Sequence, residues 1–370
     1  MTQTAPDRRL TINGHEISDA TPSYVIAEIG HNHQGDLDQA MHLFDEARRA
    51  GAHAVKIQKR DNATLYTREA FDKPYENENS FGPTYGLHRE ALEFGRAEYE
   101  ELIAYAGRIG VTFFATAFDL PSADFLAELD MPAYKIASAD LRNIPLLRHV
   151  ASFGKPMVLS TGASTIEDVK RAHEAVGEIN PQVALLQCTA GYPAAWEELD
   201  LGVITTFRTL FPETVIGLSS HDNGIAMAVA AHTLGARIVE KHFTLDRVMK
   251  GTDHRFSLEP QGLRKMCRDL SRLHVALGDG AKKAYASEAA PALKMAKKLV
   301  VARDLPAGHE LTAQDVAMKS PGDGLPPYEL DRVIGRRLLQ PVCEDQALTF
   351  EMLEEEAQPA LAGGHRADAA

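Results

Sequence analysis

The stretch "YVIAEIGHNHQGDLDQAMHLFDEARRAGAHAVKIQK", residues 24–59, decides the fold. It opens on a run from Tyr24 that is apolar on both faces, with Glu28 near its end, and closes on a second such run from Ala54. Between them lies an amphipathic segment. Asp36 before it suits a helix N-cap, and Gly51 after it suits a C-cap. Strand, helix and strand in this order describe a parallel pair joined by a crossover.

The same unit recurs along the chain. Further runs begin at Thr112 ("TFFATAF"), Ala133 ("AYKIAS"), Pro156 ("PMVLSTG"), Val183 ("VALLQCT"), Val215 ("VIGLSSH") and Ile238 ("IVEKHFT"), which makes eight in all. Helix-like segments such as "STIEDVKRAHEAVGEI" separate them. Strands apolar on both faces, alternating with helices, indicate a parallel sheet covered by helices. Eight units in roughly 250 residues is the size of a closed (β/α)8 TIM barrel. An open doubly wound sheet is the alternative, but no Gly-rich dinucleotide fingerprint follows the first strand.

This places an α/β barrel at residues 23–282, behind an N-terminal arm, residues 1–22. The arm's "RLTINGHEI" holds an Asn-Gly turn and predicts a β-hairpin at the barrel bottom. From Arg60 to about Gly95 the second strand is joined to its helix by an unusually long connection. As a βα loop it belongs to the face where barrel active sites form. Tyr66, Phe71, Tyr75, Phe81 and Tyr85 either pack this loop on itself or floor a sugar site. "GAKKAYASEAAP" predicts a linker, residues 283–293. A small second domain, residues 294–355, follows, with a Pro-Ala-Gly turn and a Thr312/Asp315 capping pattern. It is small for an independent core and is expected to dock on something. Residues 356–370 have the composition of a disordered tail.

Composition narrows the function. The 370 residues carry a formal net charge of −13 and no long basic run, which speaks against a nucleic-acid partner. The cysteines, Cys188, Cys267 and Cys343, are odd in number and far apart, so neither a disulfide framework nor a zinc site follows. No apolar run approaches a membrane span and the N-terminus lacks an apolar signal core. A soluble cytoplasmic protein without membrane contact is expected.

In a strand, residues i and i+2 share a face. Lys56 with Gln58, Ser219 with His221, and Glu240 with His242 are such pairs, all at the ends of their runs. Glu28, Lys135, Ser138 and Ser160 also sit at run ends. Any one of these could be a solvated strand end; their joint occurrence at one barrel mouth points to a site. Two lysines and several hydroxyls suit a small phosphorylated, carboxylated anion. Two imidazoles on adjacent strands suit a divalent metal with open positions.

The motifs "IAEIGHNHQGDLD", "AVKIQK", "AYKIAS", "LSTGAS", "LLQCTAGYP", "IGLSSH" and "EKHFTLD…KGTDH…SLEP", in this order, resemble those of the sialic acid synthases, the N-acetylneuraminate and nonulosonic acid synthase family. The second domain resembles that family's antifreeze-like (SAF, β-clip) domain. The resemblance implies condensation of phosphoenolpyruvate with a mannose-type aldose, releasing phosphate by C–O cleavage. It implies His221 and His242 as ligands of a divalent metal, manganese first, with magnesium or cobalt as alternatives. Lys56, Thr116, Lys135, Ser138, Ser160 and Ser219 match phosphoenolpyruvate positions. Glu28 matches the acid/base, and Asp253 lies over the reacting carbons. Gln58, Asp140, Tyr192 and Lys250 fall on the sugar side. His31, His33, His88 and His254 fit supporting roles, and Cys188 fits packing.

The resemblance also implies a domain-swapped homodimer in which the segment Ser320–Leu325 reaches the partner's sugar site. Three features depart from the bacterial free-sugar pattern. Ser320 replaces an arginine that holds the N-acyl group, Ala190 stands in "TAGYP", and "KGTDH" with "TYGLHREALEF" resembles the animal-type branch that takes a 6-phosphorylated sugar. The acceptor is therefore expected to depend less on an N-acetyl group. A 6-phosphate, met by Lys250 or the long second loop, or a plain mannose hydroxyl would fit. Another phosphoenolpyruvate-dependent ulosonic-acid synthase and a catalytically silent sugar-binding barrel are the alternatives.

Overall fold

Residues 7–355 are described by a computed structural model; the tail expected to be disordered lies outside them. Strands β1 (Arg9–Ile12) and β2 (His15–Ser18) form an antiparallel hairpin. Its turn, Asn13-Gly14, has positive φ at both residues, as a two-residue hairpin turn requires. Leu10, Ile12 and Ile17 are buried in the main core, and the Asn13 side chain donates to Thr112 Oγ1 at 3.3 Å. Thr112 begins a barrel strand, so the hairpin closes the N-terminal end of the barrel.

Eight parallel strands follow: β3 (Tyr24–Gly30), β4 (Ala54–Lys59), β5 (Thr112–Ala117), β6 (Tyr134–Ile136), β7 (Met157–Ser160), β8 (Val183–Cys188), β9 (Val215–Ser220) and β10 (Ile238–His242). They pair in chain order, and β10 pairs with both β9 and β3, so the sheet is closed. Closure distinguishes this barrel from the open-sheet alternative.

The helix Leu37–Ala50 illustrates how the sequence builds each unit. Asp36 accepts from Gln39 N, and Gly51 ends the helix at φ 97°, a conformation costly for other residues. Ala40, Leu43, Phe44, Ala47 and Ala50 form its buried stripe at helical spacing.

The long connection after β4 is not a bare loop. It contains the short helices Asn62–Leu65, Arg68–Asp72 and Tyr85–Glu90, capped by Asp61, Thr67 and Thr84. None is long enough to show a periodic apolar pattern, which is why only the caps betray them. Tyr85 packs edge-on against Tyr66 and Tyr75, with centroids at 5.2 and 5.5 Å. None of the five aromatic residues lines the main cavity, so they pack the loop on itself.

A second compact unit begins at Gly280. The stretch expected as a linker is largely helical, with a 3-10 turn at Ala286–Glu288 and a helix at Ala289–Met295. Its alanine-rich sequence favours helix once started. Strands β11 (Lys298–Val301) and β12 (Val316–Lys319) pair antiparallel. The unit's own core includes Leu299, Val301, Leu311, Val333, Leu338 and Leu348.

Asp315 holds this unit's turns together. Its buried carboxylate accepts from Arg303, His309, Thr312 N and Thr312 Oγ1 at 2.7–3.1 Å. Burial would raise its pKa; the hydrogen bonds from His309, Thr312 and Arg303 outweigh burial and depress it. A depressed carboxylate stabilises the fold above its unfolded pKa of about 3.9, and that contribution fades as pH falls below it. We expect Asp315→Asn to cost on the order of 2 kcal/mol at neutral pH. Thermal melts between pH 7 and 3 should show a shallower acid slope for the variant than for the parent.

Candidate active site

Parallel pairing aligns the strand ends side by side. His242 lies opposite Glu28, Glu28 opposite Lys56, Thr116 opposite Lys135, and Glu240 opposite Ser219. The alternation of each strand turns these side chains inward at one end of the barrel. All of the predicted site residues except Asp140 and Lys250 line one cavity of about 1080 Å³ there.

The two exceptions have local causes. A 3-10 turn, Ser138–Asp140, follows β6 and breaks the two-residue alternation, so Asp140 does not follow Ser138 into the cavity. Burial pushes the Asp140 carboxyl up to about 6. Lys250 is exposed, with its ammonium 4.6 Å from the Phe81 ring centroid.

The cavity floor is a network of paired charges. Lys56 Nζ contacts Glu28 Oε2, donates to Thr116 Oγ1 at 2.6 Å and lies 4.0 Å from Glu240 Oε2. Lys135 Nζ donates to Ser160 Oγ at 2.7 Å and lies 3.5 Å from Glu240 Oε1. Ser219 Oγ donates to that same oxygen at 3.1 Å. Burial alone would raise the Glu240 pKa, but the ammonium groups of Lys135 and Lys56 hold it down to about 2. Burial lowers the pKa of Lys135 against the pull of Glu240. The sequence reading placed Glu240 at the barrel mouth beside His242 but gave it no role. The signal for it was there: it shares a face with His242, and two buried lysines require carboxylates.

Gly30 marks where three further side chains converge. Its φ is +56°, and a Cβ there would meet Asp253 Oδ2 at 2.9 Å, Gln58 Nε2 at 3.3 Å and Glu28 Oε1 at 3.4 Å. Gln58 Nε2 donates to Glu28 Oε1 at 2.7 Å. Burial would raise the Asp253 pKa, but the neighbouring His242 and the Thr252 hydroxyl lower it.

His221 and His242 face each other with ring centroids 5.4 Å apart. The Tyr192 ring packs on His221 at 4.1 Å. His221 Nδ1 lies 2.8 Å from the Thr189 carbonyl, so it must donate, which leaves Nε2 as the lone-pair nitrogen. His242 Nδ1 is buried without a hydrogen bond, 3.7 Å from Asp253 Oδ2. An imidazole nitrogen buried without a hydrogen-bond partner is open to a ligand. Among the described residues no group of three or more His, Cys, Asp or Glu could hold a metal ion. The Nε2 of His221 and the unpartnered Nδ1 of His242 are the nitrogens that could serve a divalent ion.

The described residues also place groups in the cavity that sequence reading did not select: His31, Arg60, Asn79 and Arg89. Arg60, Asn79 and Arg89 come from the long connection, whose path no local pattern foretells. His31, read as a supporting residue, lies between the two arginines.

A model of the NeuB family matches residues 43–282, and a model of the SAF domain matches residues 298–354. The chain belongs to the NeuB family. This NeuB-family chain is 38% identical to the N-acetylneuraminate-9-phosphate synthase of Mus musculus, over 92% of its own length and 95% of that enzyme's. It is 33% identical to the N,N'-diacetyllegionaminic acid synthase of Campylobacter jejuni, over 88% and 98% of the two chains. The crystal structure of the N-acetylneuraminic acid synthetase of Leptospira borgpetersenii, in complex with citrate, superposes with a TM-score of 0.68 at 31% identity. It covers 78% of this chain and 96% of that one. The chain is accordingly a transferase of the kind that condenses phosphoenolpyruvate with an aldose.

Behind the two histidines, Lys241 and Asp222 form a buried ion pair. Lys241 Nζ reaches Asp222 Oδ1 at 2.8 Å and its carbonyl at 2.6 Å, with both side chains at most 2% exposed. The pair joins the residues next to His242 and His221, on the outward side of the strands. Breaking one partner of a buried pair costs about 3–5 kcal/mol, while replacing both with apolar groups is often neutral. We expect Lys241→Met to lower barrel stability by that amount and Lys241→Met with Asp222→Leu to recover most of it, as read from urea unfolding.

Proposed function

We propose that this chain is a nonulosonic-acid synthase in which the residues named above carry the reaction, with a divalent ion, manganese first, on His221 and His242. The observation that supports it most is the pairing of two buried lysines with Glu28 and Glu240 on the floor of the cavity that also holds the two imidazoles. Lys56 and Lys135, with the hydroxyls of Thr116, Ser138, Ser160 and Ser219, hold phosphoenolpyruvate. Gln58, Tyr192 and Asp253 orient the acceptor. The metal, when bound, supplies Lewis-acid polarisation of the aldehyde oxygen.

The methylene carbon of the enol phosphate bonds to the aldehyde carbon. Water adds to the adjacent, phosphate-bearing carbon; Glu28 takes one proton from this water and passes it to the former aldehyde oxygen. The C–O bond to phosphate then breaks to leave a ketone, and the departing phosphate carries the second proton of the water. The contacts of Glu28 to Gln58 and Lys56 hold its carboxylate in one orientation for that transfer.

The reading extends to assembly and location. A domain-swapped homodimer, with Ser320–Leu325 over the partner's sugar site, agrees with the exposed Leu293, Met295, Met318 and Tyr328 of the small second unit. The absence of a membrane-crossing helix among the described residues, together with free Cys188, Cys267 and Cys343, agrees with a reducing cytoplasm.

Phosphate release on mixing phosphoenolpyruvate with a panel of mannose-type aldoses tests the reaction; no release with any aldose overturns it. His242→Ala should abolish both turnover and manganese binding by calorimetry, with the melting transition retained. Lys135→Met should raise the KM for phosphoenolpyruvate roughly ten- to a hundredfold.

The swapped lid brings Ser320, a neutral hydroxyl, where a cation would otherwise meet an acyl carbonyl. We expect a dimer by light scattering and kcat/KM values for mannose and N-acetylmannosamine within about tenfold of each other. A monomer, or a wider gap in favour of the N-acetyl sugar, speaks against this part.

A further inference from the structure

The two imidazoles of the cavity are held in different ways. Among the described residues, the register pairs of β9 end at Ser219 with Cys188 on one side and at Ser220 with Lys241 on the other. His221 therefore stands past the last pair on both sides, whereas His242 is still paired, with Glu28. The sheet fixes the second ring; side chains have to fix the first.

Toward β8, two hydrogen bonds hold His221. Ala194 N donates to its carbonyl at 3.3 Å, and its own Nδ1 donates to the Thr189 carbonyl at 2.8 Å. Toward β10, the buried tie is Lys241. This side chain leaves its strand on the face away from the cavity. Its ammonium group crosses to the segment after β9 and donates to the Asp222 carbonyl at 2.6 Å. A side chain thus continues the attachment of β9 to β10 two residues past their last ladder pair. Asp222 Oδ1 accepts from the same ammonium group at 2.8 Å and from Ser220 Oγ, which closes the backbone around His221. One residue further, the exposed Arg247 donates through Nη2 to Asn223 Oδ1 at 2.9 Å, a second link between the two segments.

Stability alone does not account for the pair. A buried ion pair recovers its desolvation cost only when its remaining lone pairs are also satisfied. Asp222 Oδ2 is buried and, among the described residues, has no hydrogen-bond partner. Two apolar side chains would fill the same space at no greater cost. They would not supply a donor to the Asp222 carbonyl, one peptide unit away from His221. Metal-binding imidazoles are sensitive at that point, because ligand distances must hold within about 0.2 Å.

We infer that Lys241 is a positioning residue for the imidazole pair: the bond from its ammonium group to the Asp222 carbonyl sets how far His221 stands from His242. This rests on the reading above in which the two rings, now 5.4 Å apart between centroids, hold a divalent ion. Two tasks are divided within one contact. The Asp222 carboxylate neutralises a buried lysine and serves stability. The backbone carbonyl of the same residue receives the bond that serves geometry.

Two variants of the full-length protein separate these tasks. Lys241→Met with Asp222→Leu removes the tie and keeps the space filled. Asp222→Asn keeps both acceptors for the ammonium group and removes the counter-charge. Manganese affinity is read by calorimetry, stability from urea unfolding, and ring separation from crystal structures of parent and variants. The double variant should unfold near the parent's urea midpoint, bind manganese about ten- to a hundredfold more weakly and show a changed separation of the two rings. Its KM for phosphoenolpyruvate should stay within about threefold of the parent's, since the Lys56 and Lys135 contacts are untouched. Asp222→Asn should show the opposite pattern, a lowered midpoint with manganese affinity within about threefold of the parent's.

A double variant with the parent's manganese affinity and ring separation would overturn the inference. So would an affinity that falls in step with the urea midpoint across both variants, because the pair would then be structural only. If the double variant does not fold, Asp222→Asn still decides, since a tenfold loss of affinity there contradicts a tie that runs through the carbonyl. A parent that binds no manganese would defeat the metal reading instead. The crystal structures then decide the inference by themselves, and an unchanged ring separation without Lys241 would overturn it.

Discussion

Lys56 and Lys135 can stay charged inside a barrel only because carboxylates stand beside them. Glu240 lies near both, and Glu28 contacts Lys56 directly. The four formal charges sum to zero, so the empty cavity floor is electrostatically closed. An arriving anion must compete for ammonium groups that already have partners. The same closure fixes the lysine side chains in place before substrate arrives, which lowers the entropy lost on binding.

The barrel achieves this with very little sequence. Parallel neighbours in register bring Glu28 between His242 and Lys56, and Glu240 beside Ser219. Four strands thus bring the two imidazoles, Glu28, Lys56, Ser219 and Glu240 together with one or two residues each. The outward-facing residues between them, Ser220 and Lys241, meet Asp222 and tie β9 to β10 directly behind the imidazoles. Gly30 matters for the opposite reason. It contributes no side chain, and the room it leaves lets Asp253, Gln58 and Glu28 approach one another.

The wider charge pattern runs against that of phosphoenolpyruvate, which is an anion. The chain is strongly acidic overall, with a net charge of −13. The long connection after β4 brings Arg60 and Arg89 to the cavity, where their hydrogen bonds go to neutral groups and the charges of Glu93 and Asp253 lie nearby. Local positive potential set in low-dielectric walls can draw an anion against such a background, because surface charges are screened over about 8–10 Å.

The amino-acid sequence by itself determined the barrel and most of its active end. Eight two-faced apolar runs alternating with helices specify a parallel sheet covered on both sides, and Lys56, Ser219, His221 and His242 follow from counting along strands whose period is two; pairing of β10 with β3 is what closes that sheet. That counting fails where the backbone leaves the strand: the 3-10 turn after β6 carries Asp140 out of the cavity that Ser138 enters. Only the tertiary structure decided which charges are paired. Glu240 with two lysines, Lys241 with Asp222, and His31 between two arginines join residues from separate segments, and their distances depend on closure of the whole sheet. Local periodicity specifies which face a residue takes, but burial and pairing depend on what the rest of the chain places opposite it.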